Sequence, residues 1–345
     1  MKAMVLEDIS PIESSPLVLK DLPDPRPGQG EVAIGVRCCA ICRTDLHVIE
    51  GDLPQQKLPI IPGHQIVGVV ETVGEGCRRL KIGDRVGVAW LRHTCGRCMF
   101  CKAGRENLCE SQRFTGYHAD GGYAEKAVAP EDFVYDIPAA FSDVDAAPLL
   151  CSGIVGFRSF KRSRPRDGGT LALYGFGSSA HVIMQIALHR GMEVYVVTRG
   201  ESHRQLAREM GAKWVGAKAA DMPVKVESAV IFAPAGELVP QALEKIEKGG
   251  TLSLANIYMT PIPRMEYEKH VFYERDICSV TANTREDGRE LLAEAARISI
   301  CPHTTTYPLT EANRALQDLK ADHINGTGVL VVGDRGKAEA KSCLP

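Results

Sequence analysis

Apolar residues recur along this chain with two different rhythms. Up to about residue 150 they fall in short β-branched runs, "EVAIGVRCCAIC", "QIVGVVETVG", "RVGVAWL" and "YAEKAVAP", separated by glycine- and proline-rich turns. Runs of that length between turn residues predict strands, and their close succession predicts an antiparallel, β-rich domain of barrel-like form. The middle of the chain changes rhythm. "GTLALYGFG" reads as a buried strand, "SSAHVIMQIALHRG" as a helix closed by Gly191, "EVYVVTR" as a strand, "SHRQLAREMG" as a helix and "WVGA" as a short strand. "SAVIFAPAG", "ELVPQALEKIEKGG", "TLSLANI", "DICSVTA" and "TREDGRELLAEAARI" continue the alternation. Strands alternating with helices predict a doubly wound parallel sheet covered on both faces. From about Ser299 the β-rich style returns, in "TTTYPLTEANRALQDLKADHINGTGVLVV". The fold class is therefore α/β with two domains: 1–151 and 297–345 as the β-rich domain, 152–296 as the parallel-sheet domain. The closing "GDRGKAEAKSCLP" predicts a frayed end.

A length of 345 residues agrees with two cores rather than one. The net charge of −2 offers no basic footprint for nucleic acid and no polybasic membrane anchor. No apolar run approaches the roughly 18 residues of a membrane span, and "MKAMVLEDIS" lacks the apolar stretch of a secretory signal. Twelve cysteines without an export signal predict reduced thiols, some of them bound to metal, in a cytoplasmic protein.

Four of those cysteines crowd into "CGRCMFCKAGRENLC": Cys95, Cys98, Cys101 and Cys109, spaced C-x2-C-x2-C-x7-C. Such thiolates can close a tetrahedron around Zn2+ at about 2.3 Å per sulfur, leaving no position for water or substrate, so this metal would hold a fold and do no chemistry. An iron–sulfur cluster normally wants a shorter last gap followed by proline, and free or redox thiols are the remaining reading. A second set is scattered. Cys42 in "CRTDLH", His64 in "PGHQIVG" and Cys151 in "PLLCSGI" would together supply two thiolates and one imidazole, leaving one position open. Their wide separation makes spacing weak evidence, and each reads equally as a packed cysteine or a turn histidine. Cys39 and Cys42 also form a C-x-x-C, but in a β-rich setting that a thioredoxin-like motif does not use. Cys38, Cys77, Cys278, Cys301 and Cys343 carry no assigned chemistry.

"YGFGSSA" places Gly175, Gly177 and Ala180 as G-x-G-x-x-A between a predicted strand and a predicted helix. That context suits a dinucleotide pyrophosphate, cradled by Gly175, Phe176, Gly177, Ser178 and Ser179; the bland alternative is a tight turn with no ligand. The next strand should end in Asp or Glu, about 20 residues on, in an NAD enzyme. Here it ends in Val197, Thr198 and Arg199, with Arg204 following and Glu201 just beyond the tip. A hydroxyl and guanidinium groups suit a 2'-phosphate, which favours NADP(H) over NAD(H).

Taken together, "CRTDLH", "PGHQIVGVVETVG", "KIGDRVG", the four-cysteine lobe, "GGYAEKAVAP", "PLLCSGI" and "GFGSSA" resemble the zinc-dependent medium-chain alcohol dehydrogenases over nearly the whole chain. The resemblance implies a GroES-like catalytic domain, a Rossmann coenzyme domain and two Zn2+ per chain. Two cysteines and one histidine form the known catalytic zinc set of alcohol dehydrogenases, so that assignment comes from the family and not from spacing. By position, Cys42, His64 and Cys151 match the catalytic ligands and Cys95, Cys98, Cys101 and Cys109 the structural ones. Thr44 matches the hydroxyl that touches the substrate oxygen, His47 the distal proton acceptor, Arg43 a pyrophosphate partner and Asp45 the carboxylate behind the ligating histidine. Trp90 matches a wall of the substrate pocket, with Tyr117 and Tyr258 as further apolar candidates; Leu91 and Ile257 read equally as lining or plain core. Two departures stand out: Gln65 where most relatives have Glu, and Gly328 near the place where many carry an arginine. The implied activity is hydride transfer between NADP(H) and a small primary or secondary alcohol or aldehyde, favouring aldehyde reduction, in a homodimer or homotetramer. An NAD-dependent alcohol or polyol dehydrogenase, and a non-catalytic NADP(H)-binding zinc sensor, are the alternatives.

Overall fold

The computed structural model describes residues 1–54 and 57–333; the expected frayed end beyond Gly333, and Cys343 with it, lies outside them. The chain divides into two compact units, Met1–Cys151 with the chain from Ala282 onward, and Ser152–Thr281.

In the first unit seven strands pair in one sheet. Its order runs Thr304–Pro308, Thr327–Val331, Glu31–Ala40, Gln65–Val73, Arg85–Val88, Val134–Asp136, and Lys126–Pro130 pairs with Glu31–Ala40 off this path. All these pairings are antiparallel except Thr304–Pro308 with Thr327–Val331. Among the described residues the two end strands do not pair with each other, so the barrel-like closure expected from the turn pattern is not seen as a continuous ladder. Glu31–Ala40 is the spine. It is buried along almost its whole length, which is why "EVAIGVRCCA" reads as an apolar run and not as an alternation. Val32, Ile34, Val36, Ile66, Val70, Val86 and Leu330 pack together in the core of this unit.

The second unit is a six-stranded parallel sheet in the order Trp214–Gly216, Glu193–Val197, Thr170–Tyr174, Val226–Ile231, Ile246–Leu254, Asp276–Ser279. Strands such as "TLALY" and "EVYVV" are buried on both faces, the usual reason parallel strands are continuously hydrophobic. Two boundaries differ from the sequence pattern. "ELVPQALEKIEKGG" is helical only over Leu238–Glu244; from Ile246 it is strand, because Ile246 pairs with Val226 and is fully buried. The chain also returns to the first unit at Ala282 and not near 297. The helix Arg285–Ile298 has the amphipathic pattern of a sheet-covering helix, but its start is anchored in the first unit. Arg285 pairs with Glu106, Asn283 Nδ2 donates to Tyr135 Oη at 3.4 Å, and Gly288 lies against the Tyr135 ring. Periodicity reports which face of a helix is apolar and not which domain it serves.

Candidate active site and metal centres

The register of the spine explains how distant residues meet. Ala40 pairs with Gln65 in antiparallel strands, so Cys42, two residues past one strand end, and His64, one residue before the other, emerge at the same edge. Cys42 caps the helix Arg43–Glu50: its sulfur accepts from Thr44 N at 3.3 Å, and its own N–H donates to Asp45 Oδ2 at 2.9 Å. Asp45, only 1% exposed, turns its other oxygen to His64 Nδ1 at 3.0 Å. That fixes the ring with Nε2 toward Cys42 Sγ at 3.3 Å. Cys151 closes the set from the end of the 3-10 turn Ala147–Leu150, and all three donor atoms lie within 4.8 Å of one another. Two ligands at zinc bond lengths subtend about 3.6 Å for sulfur and nitrogen in a tetrahedron. The observed contact fits a zinc ion with one coordination position left over.

Electrostatics agree. A hydrogen bond from Cys151 and the neighbouring His64 charge outweigh burial and hold the Cys42 thiol well below its usual range. The bond to Cys42, together with burial, pushes Cys151 well up. Burial alone would lower His64, but Asp45 and the Cys42 thiolate raise it to about 10. Without metal, the cluster therefore stores protons that a divalent cation would displace. Gln65, fully buried, follows His64 directly at the start of its strand, so the residue behind the ligand is a neutral amide.

The four-cysteine lobe is also assembled. Its sulfurs lie within 4.8 Å of one another, with Cys98–Cys101 at 3.5 Å and Cys95–Cys101 at 4.0 Å, against about 3.8 Å for two sulfurs on one zinc. Backbone N–H groups point at the sulfurs: Cys98 N to Cys95 and Cys101 N to Cys98. N–H groups of Arg97 and Cys98 lower Cys95 to about 6. Among the described residues ten cysteines carry free thiols, whereas Cys301 is disulfide-bonded, so the all-reduced expectation does not hold there.

Trp90 is buried with its ring 4.8 Å from His64 in an edge contact. It stacks on Phe114 at 4.8 Å and Tyr117 at 5.8 Å, and His118 closes the group against Tyr117. Phe114 escaped the sequence reading. The signal that would have found it is strand pairing, since Leu91–His93 pairs with Arg113–Phe114 and Thr115 N donates to Trp90 O. Leu91 is core. Tyr258 and Ile257 belong to the second unit, where both are exposed.

In the second unit Gly175 takes φ 88°, which only glycine adopts without strain, and a Cβ there would sit 2.9 Å from Ala233 N. Gly177 caps the helix Ser178–His189, whose first turn has no side-chain cap and no acid. Nothing lies within 4 Å of where a Gly177 Cβ would be, so the cradle is open to a pyrophosphate. Phe176 is 2% exposed, so only its backbone can serve that cradle. At the tip of the next strand Thr198 is buried and Arg199 exposed. Arg204 folds back, donating to the carbonyls of Thr198 and Arg199 and pairing with Glu201. Glu201 also holds Arg208, which turns its carboxylate away into ion pairs.

A doubly wound dinucleotide unit and a β-rich unit with one closed and one open set of zinc-type donors define a metal-dependent nicotinamide oxidoreductase. Residues 28–139 match the alcohol dehydrogenase GroES-like domain. The chain is 46% identical over 337 residues to the probable alcohol dehydrogenase AdhA of Mycobacterium tuberculosis, covering 96% of this chain and 97% of that one. It is 35% identical to an alcohol dehydrogenase of Geobacillus stearothermophilus, covering 96% and 98%. The cobalt- and zinc-bound thermostable alcohol dehydrogenase of Pyrobaculum aerophilum superposes with a TM-score of 0.84 at 26% identity, covering 96% and 99%. The chain belongs to the zinc-dependent medium-chain alcohol dehydrogenase family. It is accordingly an oxidoreductase of small-molecule alcohols, with a GroES-like and a Rossmann unit. Among its described residues no helix is long and apolar enough to cross a membrane.

Proposed function

We propose that this protein interconverts primary or secondary alcohols and their aldehydes or ketones with NADP(H), working as an aldehyde reductase. The observation that carries the reading is the convergence of Cys42, His64 and Cys151 on one point with Asp45 behind the histidine. When bound, zinc polarises the substrate oxygen and the nicotinamide carries the hydride. Cys42, His64 and Cys151 would hold one zinc and the four-cysteine lobe a second, giving two per chain. Asp45 keeps the His64 Nε2 lone pair aimed at the metal position. Thr44 sits one residue into the helix that Cys42 caps, where its hydroxyl can take up or return the proton of the substrate oxygen. His47, one turn further along the same helix face, is the far end of that proton path. Trp90, stacked with Phe114 and Tyr117, supplies a flat apolar wall beside His64. Such a wall favours aromatic or compact apolar aldehydes.

The cofactor preference is supported by the absence of a free carboxylate at the strand tip. Arg199 is left as the exposed cation for a 2'-phosphate, with Arg204 fastening the turn beneath it. Arg43 adds a cation for the pyrophosphate at the start of its helix. The test follows reduced-nicotinamide absorbance with a panel of aldehydes, comparing NADPH with NADH in wild type and Arg199→Ala. NADPH should be preferred at least tenfold, and the variant should lose most of that preference. A wild-type preference for NADH would favour the NAD-dependent reading, and cofactor binding without any turnover would favour the sensor.

A further inference from the structure

Two tyrosine side chains, Tyr123 and Tyr174, are fully buried with hydroxyls that make no well-formed hydrogen bond. A buried hydroxyl without a partner is costly, so each raises the question of what it serves. Burial alone pushes the Tyr174 phenol up. At Tyr123 burial is joined by the charge of Asp45, then of Cys39 and Cys42, and Asp45 acts again as an acceptor still short of good geometry. The backbone sets this ring beside the open metal site. Tyr123 N donates to Pro62 O at 3.0 Å and Gly122 N to Gly63 O at 2.9 Å, so "GGY" runs along the segment that leads into His64. Gly63 takes φ 93°, and a Cβ on it would lie 2.3 Å from Tyr123 Cδ1. The ring thus fills the face that glycine leaves bare, one residue before the ligand. Asp45 has room for another donor: a carboxylate offers about four lone-pair positions, and His64 Nδ1 and Cys42 N take one each. It also gains from one, because burial raises the Asp45 carboxyl and a further donor favours its charged form.

We propose that Tyr123 is a positioning residue of the open metal site: its hydroxyl is the third donor to Asp45, shares that carboxylate with His64 and eases its pull on the Nδ1 hydrogen. The inference rests on the reading of Cys42, His64 and Cys151 as zinc ligands. A carboxylate behind a ligating histidine raises the basicity of the ring. Divided among three donors, the Asp45 charge leaves His64 Nε2 a weaker electron donor. The neutral Gln65 next in the chain works in the same direction, since both keep negative charge from collecting behind the metal position.

The experiment uses the full-length, zinc-loaded protein with 15N-labelled histidine, and zinc content is measured first, with two ions per chain expected. The His64 ring is assigned by its nuclear Overhauser contact with Trp90, whose ring lies 4.8 Å away. Tyr123→Phe keeps the ring and removes the hydroxyl. It should move the His64 Nδ1 hydrogen downfield, as the freed carboxylate grips it harder. In chelator competition it should tighten zinc at the open site by about three- to tenfold and leave the four-cysteine site unchanged. Tyr174→Phe, which removes a hydroxyl on which burial alone acts, should change neither readout. An unchanged Nδ1 resonance in Tyr123→Phe overturns the proposal, as does zinc bound no more tightly than in wild type. Equal effects from Tyr174→Phe also overturn it. A wild-type protein that holds only one zinc per chain refutes the metal reading itself, and the proposal with it.

Discussion

Asp45→Asn is nearly isosteric, yet it should strip the open metal site of much of its affinity. The side chain is 1% exposed and serves two donors, His64 Nδ1 at 3.0 Å and Cys42 N at 2.9 Å. An asparagine offers one acceptor oxygen and one NH2 group, so one of these contacts must become donor against donor. The way out is for His64 to give up its Nδ1 hydrogen and carry it on Nε2, the atom that faces Cys42 and must bind the metal bare. Both arrangements remove the negative charge behind His64, and each also gives up either its orienting bond or the bond to Cys42 N. The expected loss is about 10- to 100-fold in zinc affinity, or roughly 1.4–2.7 kcal/mol. Where the NH2 group faces Cys42 N instead, the weakened cap on the helix Arg43–Glu50 should cost about 1 kcal/mol in urea unfolding. Competition with a chromophoric chelator reads the affinity, and the four-cysteine site, which Asp45 does not touch, serves as the internal standard. If Asp45→Asn binds both zinc ions as tightly as wild type, the carboxylate does not orient His64.

Zinc affinity of the open site should rise with pH. His64, raised to about 10, and Cys151, pushed well up, are both protonated near neutrality in the metal-free cluster, and both must lose a proton to ligate. The affinity should climb roughly ten- to hundredfold per pH unit between about 6.5 and 8.5, and a flat profile in chelator competition would contradict the charge assignment. The Glu106–Arg285 pair should fasten the four-cysteine lobe to the helix Arg285–Ile298. Glu106, 8% exposed, accepts from Arg285 N at 2.7 Å and from its Nη2 at 2.7 Å. A double-mutant cycle of Glu106→Ala and Arg285→Ala in urea should give a coupling of about 1–2 kcal/mol at neutral pH. Burial would raise the Glu106 carboxyl, but Arg285 outweighs it and holds it below its usual 4.5. The coupling should therefore be complete above that pH and fade as the medium is acidified through the lowered value; a coupling that survives strong acid would refute the ion pair.

The four-cysteine lobe was legible because its ligands are local: a spacing of two or seven residues constrains the geometry before any tertiary contact forms. The same is true of "YGFGSSA", where strand, positive-φ turn and helix start are neighbours in sequence. Cys42, His64 and Cys151 were legible only through family resemblance. What joins them is the register between Glu31–Ala40 and Gln65–Val73, together with the 3-10 turn Ala147–Leu150 far later in the chain. Phe114 was missed and Arg285–Ile298 assigned to the other unit for the same reason, since cross-strand partners and helix docking are long-range facts. Arg204 looked like a phosphate ligand, but its guanidinium is spent on Glu201 and two carbonyls. By itself the sequence determined residue chemistry, the two rhythms of strand and helix, and the local crowding of four thiols. Only the tertiary structure decided which distant side chains share a point in space, because burial and strand register act between residues that covalent spacing leaves unconstrained.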